Sequence, residues 1–560
     1  MRKIIILSLI IVASISILLF VINFQPPFDG PSDTVGFSLS AGAYSGASIK
    51  LKLYNSENYP IYYTTDGSDP TLESAIYTDS ITITEKMASL ALEKFSPHMY
   101  VNGYGILPNN GIFPKAVIIR AAAQMPDGSL GPTVTNTYFV KTNLIKKYNH
   151  ATVISLVTNP DNLFDYEYGI LVKGQKYEDH LSDNELAQPW EAIANYSQKG
   201  KEWERPATIQ IFDDSNKITI EAPCGIRVHG SASRVYSQRS FNIYFRKKYG
   251  QKNLSYNIIP NNKDIKGDNI TTYDSFVLRN GGNDTEYLKF KDAAIQSLLE
   301  GQNYTTQKSR LAILFINGEY YGVFNLTEKY TDTFLESHYG INADNVVIFK
   351  EGELEEGNED DAKLYDELMS YANKNMKDAS VWESFQQIVD VDSMAAYYAS
   401  EIYIGNADWD EISNYQLWRS RTADGTAYGD AKWRWMLYDT EYSTYLYNQP
   451  KTAPDFNTLE YALTSGLFPL FSSVIKNDSF KKLFIAKLDN LTSTLSPSNV
   501  KQTIEKYFKE WQPFYDDYRN RFITTSGCYE MHQCADEVVK YFSNRVEMIE
   551  VFKKDISRID

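Results

Sequence analysis

Cysteine and histidine are scarce in this chain: 3 Cys and 6 His in 560 residues. So few cysteines exclude a disulfide-rich scaffold and a four-cysteine zinc site. The histidines are scattered and form no His-Glu-x-x-His run, which argues against a histidine-based metal enzyme. Positive charge is also short, with 55 Lys+Arg against 71 Asp+Glu and a formal net charge of −16. Nucleic-acid affinity comes from Lys and Arg neutralising phosphates, so no nucleic-acid partner is expected. There is no internal repeat. Apolar and aromatic residues are plentiful, at 43% hydrophobic and 14% aromatic, with 42 Tyr. That composition is globular, and at about 150 residues per domain the length admits two to four domains. A Tyr-rich, Cys-poor chain leans towards a secreted protein.

One segment is long and uncharged, Ile4 to Ile22, with Ser8, Ser14 and Ser16 as its only polar members. As a helix it would span about 28 Å, enough for a bilayer core. Arg2 and Lys3 precede it, the next charges are Asp29 and Asp33, and the first following Lys is Lys50. The positive-inside rule keeps the N-terminus in the cytosol and sends the rest across. Residues 1–23 are therefore expected to be a signal anchor, or else a cleaved signal peptide. The expected location is the cell membrane, single-pass with extracytoplasmic domains, or the cell surface after secretion. Residues 24–34, with Gln25-Pro26-Pro27, read as a linker. Cys528 and Cys534 are close enough for a small-loop disulfide, or are two buried thiols; Cys224 reads as core.

Residues 35–141 alternate apolar and polar positions between turn signals. Ala47, Ile49, Leu51 and Leu53 fall on every second position, and Asp66-Gly67 and Asp127-Gly128 supply hairpin chemistry. The spacing predicts a β-sandwich. The stretch Pro60-Ile-Tyr-Tyr-Thr-Thr-Asp-Gly-Ser-Asp-Pro-Thr71, with Tyr77 and the tail Val134 to Tyr138, resembles the chitobiase/β-hexosaminidase C-terminal-like domain. That resemblance implies an immunoglobulin-like accessory sandwich without catalytic groups. Residues 88–112 look like an insertion. Asp66 and Asp69 are expected to form turns. Tyr62, Tyr63 and Tyr77 are either packed or in contact with a cell-wall glycan.

Residues 150–556 read as a second domain, after a short linker ending at Lys146-Lys147-Tyr148. Strand-like segments dominate to about residue 250, among them Ile154–Val157, Tyr168–Val172 and the set Ala207, Ile209, Ile211. Helical spacing follows over 361–375, 380–389 and 393–404, the last capped by Asp392 or Ser393. Pro497–Trp511 and Ala535–Lys553 also read as helices. The layout is α+β, mixed β first and helical later.

Four segments carry chemistry. Gly225 to Phe245 reads as strand, small-residue turn and strand. Gly230 and Ser231 let backbone N–H groups approach a ligand, while Arg227, Arg234 and Arg239 supply fixed positive charge for a polyphosphate. Leu311 to Glu328 reads as a hairpin turning at Asn317-Gly318, with Glu328 at its end. In Gly405 to Asn414, a carboxylate can orient an attacking hydroxyl and an Asn amide oxygen can hold Mg²⁺. In Lys432 to Ser443 an apolar strand delivers Asp439 and Glu441, spaced by two and able to reach one metal. The run Glu351 to Asp361, with seven carboxylates in eleven residues, reads as a solvated loop entering a helix. His229 reads as structural.

Together these segments resemble the CotH family, the atypical protein kinases named for a bacterial spore-coat protein. The matching residues are Arg227 to Arg234, Arg239 to Phe241, Leu278-Arg279-Asn280-Gly281, Asn317 to Val323, Leu326-Thr-Glu328, Gly405-Asn-x-Asp408 with Asn414, and Trp435 to Asp439 with Glu441. The resemblance implies a divergent protein-kinase-like fold. It implies transfer of the γ-phosphate of ATP to Ser/Thr of a cell-surface or spore-coat protein, with Mg²⁺ or Mn²⁺. Asp408 would be the catalytic Asp. Asp439 would bind the metal, with Asn414 and Glu441 as further candidates. Arg227, Ser231, Arg234 and Arg239 would hold the nucleotide, and Glu328 would pair with the cation on its phosphates. Two features depart from the family pattern: Gln238-Arg239-Ser240 stands for Lys-Lys-Ser, and Asp408 to Asn414 is one residue longer than usual. The competing readings are a catalytically inactive surface or coat adhesion protein, and a carbohydrate-active enzyme using paired carboxylates such as Asp408 and Asp410.

Overall fold

The computed structural model describes residues 31–87, 98–99, 113–148, 151–184, 193–522 and 530–560. The apolar run Ile4 to Ile22, most of the linker, nearly all of the expected insertion and Cys528 lie outside them. Among the described residues no helix is long and apolar enough to cross a membrane. The chain is mixed α+β, with strands first and helices dominating from about residue 458 onward.

The N-terminal module has a five-stranded sheet ordered Gly42–Tyr44, Val134–Val140, Val117–Ala123, Ile61–Thr64 and Ala75–Ile76. Two short antiparallel pairs, Ser48–Leu51 with Ile81–Thr84 and Gly36–Phe37 with Leu53–Tyr54, accompany it. The alternation read from the sequence works as expected: Leu51, Leu53, Ile81 and Ile83 all enter one core. Asp66 accepts from Ser68 N at 3.0 Å, the expected turn role, while Asp69 instead pairs with Arg120. Tyr62 is buried, and Tyr63 and Tyr77 pack against the same core.

Seven strands of the second part close into a barrel. Their order is Thr152–Val157, Arg205–Phe212, Ile220–His229, Ser240–Tyr244, Ser275–Arg279, Glu319–Glu328 and Ser309–Ile316, with the last parallel to the first. Closure removes the sheet edges, and cover on the outside buries both faces. Every residue of Glu319–Glu328 is accordingly buried. Asn317 and Gly318, both at positive φ, make the expected tight turn before it. The expected strand at Tyr168–Val172 is not one. Ile170, Leu171 and Val172 form a buried turn whose backbone bonds back to Asn162 and Leu163; their apolar run reflects core position, not strand pairing.

The expected linker is a packed joint. Leu144–Tyr148 is a short helix, and Tyr148 stacks near Phe315 and Phe514. Phe139 of the module packs edge-on against Phe212 and Phe315 of the barrel. One hydrophobic cluster runs through both parts.

A four-stranded antiparallel sheet, ordered Glu353–Glu356, Val346–Lys350, Gln416–Ser420 and Arg434–Met436, adjoins the barrel. Beyond it the helix Val391–Ile404 is buried along nearly its whole length. Asp390, not Asp392 or Ser393, caps it, accepting from Ser393 N. The expected C-terminal helices are Pro497–Phe522, longer than read, and a pair, Met531–Arg545 and Met548–Ile556, in place of one.

Candidate active site

Between the barrel mouth and the four-stranded sheet lies a cleft of about 530 Å³. Strand alternation decides which residues face it. From the barrel come Arg227, His229, the turn Gly230–Arg234, Ser240 and Asn242. Gly230 sits at φ +109, and a Cβ there would strike Ser233 Oγ, so the turn requires glycine. Arg227 donates to Tyr244 Oη at 2.6 Å. Its Nε is buried without a hydrogen-bond partner, as is Asn242 Oδ1. Arg234 is largely spent on the fold, donating to Gly230 O and to Gln198 O at 2.7 Å. Burial and neighbouring Arg227 lower its pKa to about 10.

The opposite wall follows the helix Val391–Ile404. Gly405, left-handed at φ +67, ends that helix and aims the next loop at the cleft. Within the loop, Asn414 donates to Asp408 O at 2.7 Å and Asp408 Oδ2 at 3.1 Å. Asn406 donates to Glu401 and to Asp439 O, tying the loop to the segment after Arg434–Met436. Glu411, buried, accepts from Leu470 N, Phe471 N and Tyr398 Oη, each at 2.8 Å. Partial enclosure and the Asp439 charge raise the Asp408 carboxyl above its ordinary range.

Asp439 sits at φ +57, a strained conformation for aspartate. It and Glu441 converge on Arg279, whose Nη2 lies 2.6 Å from Asp439 Oδ1 and from both Glu441 oxygens. Burial opposes charge on Asp439, but Arg279 outweighs it and holds that carboxyl below its ordinary value. Burial, with Asp439 close by, drives Glu441 the other way.

Seven of the nine expected residues therefore share one cleft: Arg227, Ser231, Arg234, Asp408, Asn414, Asp439 and Glu441. Two do not line it. Arg239 is fully buried, because Ser240 takes the cleft-facing position and its neighbour points away. Its guanidinium donates to Arg234 O, Leu171 O and Met99 O and lies over Tyr196. Glu328 is also buried. It accepts from Asn262 Nδ2 and Lys308 N and contacts His338 Nε2 at 2.7 Å, while the next residue, Lys329, turns into the cleft. Glu328 lines a smaller adjoining cavity with Arg279, Lys329 and Lys350, while its carboxylate contacts His338.

Besides Lys199, three further cleft cations were given no role from sequence: Arg279, Lys329 and Lys350. Each ends or follows a barrel or sheet strand, which is the signal that marks them. Burial, then Arg279, Lys350, Arg234 and Lys329, drive His229 far towards its neutral form. The acidic run is not simply a solvated loop. Glu353–Glu356 is a strand of the sheet, and Glu351, Glu353 and Glu355 line the cleft. Asp410, the second carboxylate of the glycosidase reading, accepts from Ile412 N within its own loop and does not line the cleft.

The donors suit a divalent cation held partly by substrate. Mg²⁺ is commonly bound through one or two carboxylates plus substrate phosphates, and Asp439 with Glu441 supplies such a pair. No group of three or more His, Cys, Asp or Glu among the described residues is arranged to hold a metal ion alone.

The chain is an α+β protein whose barrel mouth, four-stranded sheet and the loop after the helix Val391–Ile404 bring Arg227, Arg279, Lys329 and Lys350 into one cleft with Asp408, Asp439 and Glu441. The chain belongs to the CotH kinase protein family, whose model matches residues 226–549, more than half the chain and all nine expected residues. Residues 49–138 match the Fn3 associated family. No curated protein matches the chain.

Proposed function

We propose that this protein is an extracytoplasmic protein kinase that transfers the γ-phosphate of ATP to a Ser/Thr hydroxyl of a surface or spore-coat protein. The observation that carries the reading is the sharing of one cleft by the Arg227–Arg234 turn and by Asp408, Asn414, Asp439 and Glu441. Arg227, Lys329 and Lys350 provide cations for the nucleotide phosphates, and Ser231 offers its hydroxyl and backbone beside them. Asp408 orients the acceptor hydroxyl and takes its proton as the oxygen attacks phosphorus. Asn414 fixes the Asp408 carboxylate through its amide. Asp439 and Glu441 would hold Mg²⁺ or Mn²⁺, which neutralises phosphate charge when bound. In this reading the barrel and helical half are a divergent protein-kinase-like fold. The N-terminal module is an immunoglobulin-like accessory sandwich, and residues 1–23 anchor the chain in the membrane or direct its secretion.

A second reading, an inactive surface or coat adhesion protein, is favoured by one observation: Arg279 already occupies the Asp439–Glu441 pair. The test is incubation of the full chain with γ-labelled ATP and Mg²⁺ or Mn²⁺, beside Asp408→Asn and Asp439→Asn. Label in a Ser-rich acceptor with wild type, lost in both variants, supports the kinase. No label, with no nucleotide-induced rise in melting temperature, supports the adhesion protein.

A further inference from the structure

Arg279 ends the barrel strand Ser275–Arg279 and is 7% exposed. Its Nη2 donates to Asp439 Oδ1 and to both oxygens of Glu441, all at 2.6 Å. Its Nη1 lies 3.6 Å from Asp292 Oδ2. Asp292 is held in turn by Thr440, whose N and Oγ1 donate to its Oδ1 at 3.0 and 2.7 Å. One guanidinium thus gathers carboxylates from two distant segments, the start of the helix Lys291–Leu298 and the strained stretch after Arg434–Met436.

The surroundings leave little room beside this pairing. Gly282, at φ +53, packs so closely that a Cβ there would collide with Glu441 Oε1 and come within 3.5 Å of Arg279 Nη2. A divalent ion drawing on both carboxylates meets Arg279 at three of their four oxygens, Asp439 Oδ1 and both of Glu441, and only Asp439 Oδ2 does not accept from the guanidinium. Arg279 also lines the cleft itself, in company with Arg227, Lys329 and Lys350.

We propose that Arg279 is a built-in counter-cation that competes with the divalent ion for Asp439 and Glu441 and exchanges it for the phosphates of the nucleotide. The inference rests on the phosphotransferase reading above. The guanidinium offsets the charge of the buried acidic pair. Removing it alone would strand buried negative charge, which is costly. Exchange is favourable when a cation reaches the carboxylates and a polyanion reaches the arginine together. The planar fork of arginine matches phosphate oxygens as well as carboxylates. Ion and nucleotide phosphates must then strengthen each other's binding by the same factor.

The test uses the full chain and Mn²⁺ as the probe, with free Mn²⁺ read by electron paramagnetic resonance. Wild type should bind Mn²⁺ alone weakly, and at least about tenfold more tightly with a non-hydrolysable ATP analogue, after allowance for Mn²⁺ held by the free analogue. Arg279→Met should bind Mn²⁺ alone about tenfold more tightly than wild type and lose most of the enhancement by the analogue. Arg279→Lys keeps the charge without the fork and should fall between the two, which preserves the test if Arg279→Met does not fold. Unchanged or weaker Mn²⁺ binding in the folded variants overturns the proposal, as does wild type binding Mn²⁺ equally well with and without the analogue. Failure here, with phosphate transfer intact in wild type, overturns the role of Arg279 and leaves the kinase standing. Tighter Mn²⁺ binding by the variants, with no transfer by wild type, does the reverse.

Discussion

The two ends of the barrel both bury charge and both pair part of it, and they differ in what is exposed to a cleft. At the end welded to the N-terminal module the charges neutralise one another. Glu319 pairs with Lys115 of the module and with Arg521 of the long helix Pro497–Phe522, and Arg521 lies over Phe113. Ala116 N donates to Gly318 O, and Gln210 Nε2 to Thr135 O, so the backbone of the joint is bonded across as well. At the cleft end Arg227 Nε and Asn242 Oδ1 are buried without partners, and His229 lies among four cations. Buried polar groups are normally satisfied, and exceptions mark either strain or a missing ligand. The joint end is closed by its own ion pairs; the cleft end has ion pairs as well, Arg279 with Asp439 and Glu441 foremost, and in the proposed function its unpartnered Arg227 Nε and Asn242 Oδ1 face the ligand.

The comparison breaks most visibly at the joint end. Glu319→Gln leaves Arg521 buried beside a neutral amide and should cost about 3 kcal/mol of stability. Denaturant unfolding of the full chain measures it, and phosphate transfer per folded molecule should hardly change. A smaller contrast comes from two arginines of one motif. Arg239→Met removes hydrogen bonds to three buried carbonyls and should cost about 2 kcal/mol, with nucleotide affinity little altered. Arg227→Gln should cost less than about 1 kcal/mol but weaken nucleotide binding about tenfold, the loss of one charge-assisted contact. If isothermal titration shows the reverse pattern, the assignment of Arg227 to the cleft and Arg239 to the core fails.

A last contrast is a pH slope. Glu401 is buried beneath the cleft, and burial pushes its carboxyl from 4.5 up to about 8. The folded state therefore keeps a proton that the unfolded state releases. This contribution is full below pH 4.5, declines as pH rises through 8 and is flat above that. Glu401→Gln should remove it, shrinking the stability difference between pH 5 and pH 8.5 by about 3 kcal/mol, at about 1.4 kcal/mol per pKa unit. Unfolding curves at the two pH values give the answer directly.

The sequence was most legible where chemistry and local geometry coincide. The Asn317-Gly318 turn, the helix ending at Gly405 and the Asp439–Glu441 spacing are each set by residues adjacent in the chain. Arg227 and Asp408 were placed for the same reason. Arg239 and Glu328 were not, because each sits one residue from a cleft-facing position, and a one-residue shift on a strand reverses the side chain. Barrel closure was hidden because it depends on a parallel pairing of Thr152–Val157 with Ser309–Ile316, about 150 residues apart. The apolar turn at Tyr168–Val172 imitates a strand because burial alone, without periodicity, does not distinguish the two. Lys329 and Lys350 carry no local motif, and Arg279, though inside the matching segment Leu278-Arg279-Asn280-Gly281, shows its partners only in the assembled cleft.

The proposed function turns on Arg227 and Lys329 at the barrel mouth and Lys350 of the four-stranded sheet holding nucleotide phosphates opposite Asp408. The most direct measurement is a crystal structure of the protein with Mg²⁺ and a non-hydrolysable ATP analogue. The account predicts phosphate oxygens against Arg227, Lys329 and Lys350, and Asp408 facing the terminal phosphate. Phosphates bound elsewhere, or a cleft that stays empty at saturating analogue, would contradict it.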